Sequence, residues 1–400
     1  MKNIFTLIIA LLMCTSIEAQ TENFWVKKAD FGGLKRSRAI GFSVGNFGYV
    51  GTGIDTLENV HNDLWKYDPS LNVWSQVASI PGSARRNAIA FTIGSKGYVG
   101  TGMSAAESSM GFALADFWEY DPSTNAWTVI AASPTGGVYY GTGFSVDGKG
   151  YMCGGKHGPN WYSNQLWEYD PIADNWTPKS SFPGGLRYQL SSFVVNNSAY
   201  VGLGTDQDMH RSDIWEYKPL VDQWTQKSDL PASERGASHA FSIGNRGFIC
   251  MGGNGGLLDD LWEYNPLDDS WSVKADFDGS KRKGGIAFSI NEFAYVGTGK
   301  GSSGKKSSFW QYVPSAYVSV DEQSLADIII YPNPAQDILN VQTSGDQINL
   351  IEIQSLDGKT VLATEMAAAI STLDIPSGIY FLVGKNENGQ IIGKEKLIIL

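Results

Sequence analysis

Five arginines recur at one position of a repeated pattern, which makes them the residues of this sequence best suited to bind a charged group. Each lies six residues before a recurring phenylalanine, and in one copy of the pattern Val138 takes the place of the arginine. A guanidinium group offers a planar fork of N–H donors that fits a carboxylate or a sulfate. We therefore predict that these side chains converge on a bound anion: Arg36, Arg85, Arg187, Arg235 and Arg282.

An acid of the same repeat is an alternative partner for each arginine. Aspartates stand just before a recurring tryptophan, at Asp63, Asp116, Asp213 and Asp260, and glutamates follow that tryptophan at Glu119, Glu168, Glu216 and Glu263. Ion pairs of this kind are common structural features and do not by themselves mark a ligand site. The sequence leaves both roles open.

One loop of the third copy carries a further group of candidate ligand contacts: His157, Trp161 and Tyr162. Trp161 is the one tryptophan outside the repeated positions. An aromatic ring with a polar neighbour is suited to stack on the face of a sugar. The alternative is a loop that folds back over its own repeat.

Neither catalytic nor metal chemistry is indicated. The histidines His61, His157, His210 and His239 show no ligand spacing, and the stretch TDQDMHRSD lacks the glycine and the terminal glutamate of a calcium loop. We expect no catalytic residue, no metal and no cofactor. Cys153 and Cys250 hold equivalent places in two non-adjacent repeats, too far apart for a disulfide, and are expected to be buried thiols.

The repeats themselves predict the elements that position these side chains. The motif LWKYDPSLNVW returns as FWEYDPSTNAW, LWEYDPIADNW, IWEYKPLVDQW and LWEYNPLDDSW, and an upstream hairpin pattern such as AIAFTIGSKGYVGTG accompanies each copy. Each period of about 48 residues then holds four short strands, which is the composition of one β-propeller blade. The recurring tryptophans are expected to fill the space between neighbouring sheets.

This pattern resembles the kelch repeat, in its small-residue step after the second strand and in its tyrosine and tryptophan seven residues apart, although several copies have GTG or GLG in place of adjacent glycines. Six copies lie between residue 24 and about residue 314. The resemblance implies an all-β fold, a six-bladed kelch-type β-propeller over residues 20–314.

The two ends of this region predict how the ring closes. The sixth copy has Ser319 where its last strand should carry tryptophan, whereas FWVKKADF at 24–31 repeats the last-strand sequence SWSVKADF of 270–277. We expect the N-terminal strand with Trp25 to complete the sixth blade and remove the open edges. The loops between second and third strands vary most, so we expect ligands to bind at one mouth of the central channel.

The two termini indicate export. Residues 1–19 have the basic start and apolar run of a signal peptide, and no later segment is long and apolar enough to span a membrane as a helix. After a linker at 315–327, residues 328–400 alternate as the strands of a small β-sandwich. Their blocks YPNPAQDILNV, LDGKTV, DIPSGIYFL and KEKLIIL resemble the type A C-terminal sorting domain of the Bacteroidota type IX secretion system.

These features together favour an extracellular binding protein. The sorting-domain resemblance implies that the type IX machinery is a partner and that the propeller is secreted or held at the outer-membrane surface. A net charge of -11 argues against nucleic acid as a partner. A glycan or protein ligand at the channel mouth is the first expectation. A sugar mutarotase or epimerase acting on an anionic sugar such as sialic acid, an activity of some six-bladed kelch propellers, is the second, and a structural or adhesive surface protein is the third.

Overall fold

The computed structural model describes residues 23–105, 111–158, 161–207, 209–314, 328–343, 348–355, 359–387 and 391–399. The chain divides into two compact units, Met1–Ser315 and Ala316–Leu400. The expected signal peptide at 1–19 and the expected linker at 315–327 lie outside the described residues.

The first unit is a β-propeller of six four-stranded antiparallel sheets, in which the strand earliest in each repeat is innermost. Most strands have five residues, because each repeat changes direction at a tight turn after one short apolar run. Blade one consists of Ile40–Val44, Phe47–Gly51, Leu64–Asp68 and Val73–Val77. Blade two consists of Ile89–Ile93, Lys96–Gly100, Phe117–Asp121 and Ala126–Ile130. Blade three consists of Thr142–Val146, Lys149–Gly158, Trp161–Asp170 and Asn175–Lys179.

The remaining blades follow the same order. Blades four and five consist of Ser191–Val195, Ser198–Gly202, Ile214–Lys218 and Gln223–Lys227, and of His239–Ile243, Arg246–Cys250, Leu261–Asn265 and Ser270–Lys274. Blade six consists of Ile286–Ile290, Phe293–Gly297, Phe309–Val313 and the N-terminal strand Phe24–Lys27. A short 3-10 helix, Pro219–Val221, forms one of the outer turns.

The N-terminal strand closes the ring as the sequence predicts. Trp25 pairs with Tyr312 in antiparallel register, and its indole packs against that ring and against Phe277 at centroid distances of 5.1 and 5.0 Å. Its Nε1 donates to the carbonyl oxygen of Ala275 at 3.2 Å. Trp25 is only 5% exposed, so the closing strand is part of the core.

The outer tryptophans also link neighbouring blades, beyond filling space between them. In blade two, Trp127 Nε1 donates to the carbonyl oxygen of Ala78 at 2.8 Å, and Asn125 Oδ1 accepts the Ala78 N–H at 2.9 Å. Ala78 follows the last strand of blade one, so both of its backbone groups are held by the next blade. The same two bonds recur at Trp74 with Asn72, Trp176 with Asp174, Trp224 with Asp222, and Trp271 with Asp269.

Close packing between blades explains a glycine that recurs in the second strand. A Cβ added to Gly97 would stand 2.2 Å from the Phe42 ring of the preceding blade. The Phe42 ring itself stacks on Tyr49 of its own blade at 5.2 Å. The inner phenylalanine of one blade therefore lies flat over the backbone of the next, where a side chain would be excluded.

The second unit has two antiparallel sheets. One consists of Ile328–Tyr331, Ile338–Thr343 and Ala369–Ser371, and the other of Thr360–Glu365, Leu350–Ser355, Gly378–Lys385 and Ile391–Ile399. Leu339 from the first sheet and Ile351, Ile353 and Leu382 from the second are fully buried in one apolar cluster. A shared core between two sheets is a β-sandwich, as the sequence predicts.

Truncating the closing strand should destabilise the propeller strongly. We expect Trp25→Ala to lower the free energy of unfolding by about 3–5 kcal/mol, because it removes a buried indole from the seam. Urea denaturation followed by far-UV circular dichroism measures the change. Trp161→Ala is the matched control, since this side chain is 75% exposed and its loss should leave the midpoint unaltered. Equal midpoints for the two variants would contradict closure by the N-terminal strand.

Candidate functional site at the channel mouth

Six residues, one from each blade, form a ring around the propeller axis just before the innermost strands. Each has a left-handed backbone, with φ between 52° and 62°, although only one is glycine. A residue with a bulky side chain rarely adopts this conformation. Because the conformation recurs in all six blades, we infer that the propeller structure requires it at this position. The ring consists of Arg38, Asn87, Tyr140, Gln189, Ala237 and Gly284.

Backbone hydrogen bonds join these six residues in a closed circle, which we call the axial ring. The N–H of Asn87 donates to the carbonyl oxygen of Arg38 at 3.0 Å, and the N–H of Tyr140 donates to that of Asn87 at 3.1 Å. The series continues through Gln189, Ala237 and Gly284, and the N–H of Arg38 completes it by donating to Gly284. The left-handed backbone is thus the geometry that lets each blade bond the one before it.

A cavity of about 180 Å³ lies at the axial ring and opens at one mouth of the channel. Its lining includes all six ring residues, so it sits on the axis. Three cations line it, namely Arg38, Lys283 and Lys300, together with the amides of Asn87 and Gln189. No carboxylate or imidazole is among its described lining residues. The cavity is therefore cationic and rich in hydrogen-bonding groups, within a chain of net charge -11.

The five predicted arginines stand two residues before the axial ring, but their side chains turn away from the cavity. They are buried, with exposures of 0–2%. Arg85 shows the shared arrangement: its Nη1 and Nη2 donate to Asp116 at 2.9 and 2.6 Å, and Nη1 also donates to the carbonyl oxygen of Thr101 at 3.1 Å. The same bidentate pairing joins Arg36 to Asp63, Arg187 to Asp213 and Arg235 to Asp260.

A tryptophan completes each of these pairs. Trp118 Nε1 donates to the same Asp116 oxygen, Oδ2, at 2.6 Å. Burial raises the pKa of the Asp116 carboxyl, but the hydrogen bonds and charge of Arg85 outweigh it and leave that pKa below its ordinary value. The pKa of Asp260 is lowered for the same reasons by Arg235. The carboxylates of Asp116 and Asp260 are thus held ionised beside their arginines.

The backbones of the five arginines and of Val138, which replaces the arginine in blade three, take part in a second closed circle. The N–H of Gly53 donates to the carbonyl oxygen of Arg85 in the next blade at 2.8 Å, and the last bond of the circle runs from Gly299 to Arg36 at 2.9 Å. The donors are the last glycines of the GTG-type steps, all with φ above 80°. Each arginine therefore ties its own blade to the one before it, close to the mouth.

This geometry agrees with the ion-pair alternative that the sequence leaves open. In four blades a carboxylate occupies the guanidinium fork that a ligand would need, and all five guanidinium groups lie outside the cavity lining. Binding of a ligand in the cavity by these arginines gains no support from the arrangement. They act on the mouth indirectly, by fixing the backbone that leads into the axial ring.

The third-blade candidates lie on a hairpin whose two strands are the longest described strands of the propeller. Its strands, Lys149–Gly158 and Trp161–Asp170, have ten residues each. Tyr162 stacks on Tyr188 of the following segment at 5.2 Å and 18°. Lys156 Nζ lies 4.8 and 3.9 Å from the centres of these two rings. The extended hairpin thus brings Tyr162 to the mouth side of blade four.

An aromatic row connects this hairpin to the cavity. Tyr188 lies 6.0 Å from Tyr140 of the axial ring, and the Arg38 guanidinium lies over the Tyr140 ring at 5.3 Å. We call Tyr140, Tyr188 and Tyr162 the tyrosine row. Trp161 neighbours Tyr162 on the strand and so faces the other side of the hairpin. His157 does not join the row, since its Nδ1 bonds the carbonyl oxygen of Gly137 at 3.1 Å.

The remaining histidines and the cysteines are held in structural settings. Burial lowers the pKa of His239 to about 3, and His61 Nε2 lies 3.1 Å from Asp55 Oδ2. Both cysteines are buried free thiols, and burial raises the pKa of Cys153 to about 12. Among the described residues there is no group of three or more His, Cys, Asp or Glu side chains placed to hold a metal ion.

Sequence reasoning missed the cavity residues Arg38, Asn87, Gln189 and Lys283. A signal for the ring did exist: two positions after the recurring arginine the six copies carry six different residue types. Variation at a fixed point of a repeat marks a place where the scaffold does not dictate the side chain.

Removing the carboxylate of one buried ion pair should lower the free energy of unfolding more than replacing both partners of that pair. We expect Asp116→Ala to lower the free energy of unfolding by about 3–5 kcal/mol, because Arg85 stays buried without its counter-charge. The double change Arg85→Val with Asp116→Gln copies Val138 and Gln165 of blade three. It should cost less than the single change in urea denaturation, and the opposite order would contradict the ion-pair role.

The same double variant should alter the response to acid. A carboxyl whose folded pKa is depressed stabilises the fold above the unfolded value of about 3.9, and that stability is lost as pH falls through the lower folded value. Unfolding midpoints measured between about pH 2 and pH 5 should therefore depend less on pH in the double variant than in the unaltered chain. An unaltered pH slope would exclude Asp116 as a contributor.

The comparisons with known proteins agree with this architecture. The family model described as "Secretion system C-terminal sorting domain" matches residues 329–400. No curated protein matches the chain by sequence. The solved structure titled "Structure of YjhT" is similar with a TM-score of 0.60 and 15% identity, over 79% of this chain and 99% of that chain. At this identity the likeness shows the fold alone.

Among the described residues, no helix has the length and apolar character needed to cross a membrane. The sorting-domain match confirms the sequence prediction for the second unit, and it makes the type IX machinery the implied export partner. The chain is thus a secreted or cell-surface protein: a six-bladed β-propeller followed by a type IX secretion C-terminal sorting domain.

Proposed function

We propose that the propeller binds an anionic glycan outside the cell, with a negatively charged sugar in the cavity at the channel mouth. One observation carries this proposal: three cations and no described carboxylate line the cavity of a chain whose net charge is -11. A cationic concavity in a chain of net negative charge attracts anions.

The lining offers the types of contact that a charged sugar needs. Arg38 can bind a carboxylate or sulfate through its planar fork, while Lys283 and Lys300 supply point charges. The amides of Asn87 and Gln189 can each donate to and accept from sugar hydroxyls. Because the backbone of the axial ring is hydrogen-bonded between blades, these side chains start from fixed positions, which reduces the entropy lost on binding.

The tyrosine row extends this site beyond one sugar. Tyr140 belongs to both the cavity and the row, so a ligand held by the cations meets an aromatic ring at once. Tyr188 and Tyr162 continue in the direction of the hairpin, and each is partly exposed. Sugar faces pack on such rings, and polar groups at the ring edge stay solvated. In this proposal Trp161 adds a contact for a longer ligand at the hairpin tip.

Binding fits the cavity better than catalysis does. Ring opening of a sugar requires a positioned proton donor and acceptor. The described lining holds neither a carboxylate nor an imidazole, so the groups most often used for such proton transfers do not reach a sugar in the cavity. We therefore place binding ahead of a mutarotase or epimerase activity.

An array of neutral, carboxylated and sulfated glycans tests the proposal on the secreted chain. We expect Lys283→Gln to weaken binding of the charged glycans about tenfold, which corresponds to about 1.4 kcal/mol, and to reduce its dependence on salt. Lys218→Gln is the matched control, because Lys218 is an exposed lysine at the opposite end of its strand from the mouth. If neutral glycans bound as tightly as charged ones, or if Lys283→Gln left the affinity for charged glycans unaltered, the cationic cavity would be excluded as the site.

The tyrosine row makes a separate prediction about ligand length. Tyr188→Ala should weaken binding of a charged oligosaccharide several-fold and leave binding of the corresponding charged monosaccharide unaltered, as measured by calorimetry. A parallel loss for both ligands would place the effect in the cavity rather than in the row. In the same samples, faster exchange between anomeric NMR signals would contradict binding without turnover.

A further inference from the structure

Blade six breaks the pattern of buried ion pairs described above. Arg282 holds the position of the paired arginines and is only 1% exposed. At the place where four other blades have aspartate, blade six has Ser308. The buried cation therefore lacks the carboxylate fork that its counterparts have.

Neutral groups accept hydrogen bonds from Arg282 without balancing its charge. Two of these bonds are long, namely those from Nη2 to Ser280 Oγ and from Nη1 to the carbonyl oxygen of Ser308, both at 3.4 Å. Nη2 donates to Ser308 Oγ at 2.9 Å, Nη1 to the carbonyl oxygen of Thr298 at 3.0 Å, and Nε to that of Ser280 at 2.9 Å. The acid that acts on it electrostatically is Asp30, whose Oδ2 accepts a hydrogen bond from Ser307 at 3.3 Å. Burial lowers the pKa of Arg282 to about 10, against smaller opposing effects of the Cys250 thiol and of Asp30.

A second donor points to the same missing group. In blade two, one carboxylate oxygen of Asp116 accepts from both Arg85 Nη2 and Trp118 Nε1. In blade six the corresponding Trp310 Nε1 is buried and has no acceptor among the described residues. Blade six thus keeps the arginine and the tryptophan donors, but it has serine in place of the aspartate whose carboxylate accepts from both in blade two.

Blade three shows that the charge can be removed in a balanced way. There valine replaces the arginine and Gln165 replaces the aspartate, and Trp167 Nε1 donates to Gln165 Oε1 at 3.3 Å. Both charges are lost together and the indole keeps an acceptor. Blade six loses only the negative partner, and a buried charge without a counter-charge is costly.

We propose that blade six binds a small monovalent anion of the size of chloride between Arg282, Trp310 and Ser308, in the role that aspartate has in the other blades. Arg282 Nη2 and Trp310 Nε1 donate to the anion, and the Ser308 hydroxyl hydrogen is a third donor. Serine is shorter than aspartate by about one carboxylate group, so the site suits a halide rather than a phosphate or a sugar. It is separate from the cavity on the axis.

The place of this site gives it a structural role. Blade six contains the seam between the N-terminal strand and the last strand of the propeller. Trp310 and Trp25 both pack on Phe277, at 5.6 and 5.0 Å. An anion bound only by the folded state stabilises that state according to its concentration. The anion should thus strengthen closure of the ring.

Thermal unfolding of the secreted chain in sodium chloride and in sodium gluconate, at equal ionic strength, tests the proposal. We expect chloride to raise the unfolding midpoint by about 2 °C or more over gluconate, whose anion is too large for the site. Ser308→Asp should be more stable than the unaltered chain in gluconate and should lose the chloride effect. Ser302→Asp, which adds the same charge at an exposed position of the same loop, should retain it.

Equal midpoints in the two salts, or a chloride effect that persists in Ser308→Asp, would overturn the proposal. A second measurement stands even if that variant does not fold. Crystals of the unaltered chain soaked in bromide should show an anomalous peak within hydrogen-bonding distance of Arg282 Nη2 and Trp310 Nε1. The absence of that peak would likewise overturn the site.

Discussion

The mouth of this propeller depends on a circle of backbone hydrogen bonds between left-handed residues. Each of the six bonds joins one blade to the next, so no blade can rotate about its own strands without breaking two of them. All six residues of this circle line the cavity. The second circle, between glycines and the carbonyl groups of five arginines and Val138, supports the same segments, as do the buried Arg–Asp–Trp sets. The cavity is therefore a product of how the blades are joined.

The fold was largely predictable from the sequence, whereas the site was predictable only in part. Blade number, closure by Trp25 and the sorting domain follow from periodicity, which repeated burial of one apolar pattern imposes on the sequence. The arginine position was also found by periodicity, but spacing cannot say which way a side chain points. Arg36 and Arg38 lie two residues apart, and only the conformation of the chain makes the first a buried scaffold cation and the second a cavity residue.

The net charge of the chain also fails to predict the electrostatic character of the site. A net charge of -11 argues against a nucleic-acid partner, yet it does not reveal that cations gather at the mouth. Acids of the third strands pair with lysines elsewhere in the blades: Glu119 with Lys96, Glu168 with Lys179, and Glu263 with Lys274. Electrostatic recognition depends on this distribution and not on the sum. In blade six a single difference has a local electrostatic effect: serine replaces the aspartate of other blades at position 308, and the buried Arg282 has no carboxylate partner there.

The chain segment that closes the ring contacts both blade one and the end of the propeller, and these two sets of contacts form at different stages of folding. Ala29, directly after the closing strand, is held by Trp74 and Asn72 of blade one, whereas Trp25 within it bonds Ala275, 250 residues further along the chain. Contacts of such long range form late because a long loop must first be closed. Until the sixth blade has been synthesised, the first strand has no sheet to join, and the ring keeps two unpaired edges that can pair with other chains. A nascent or shortened chain is thus an aggregation hazard, and a chain exported through a membrane needs its first and last strands delivered to the same side before it can become a circle.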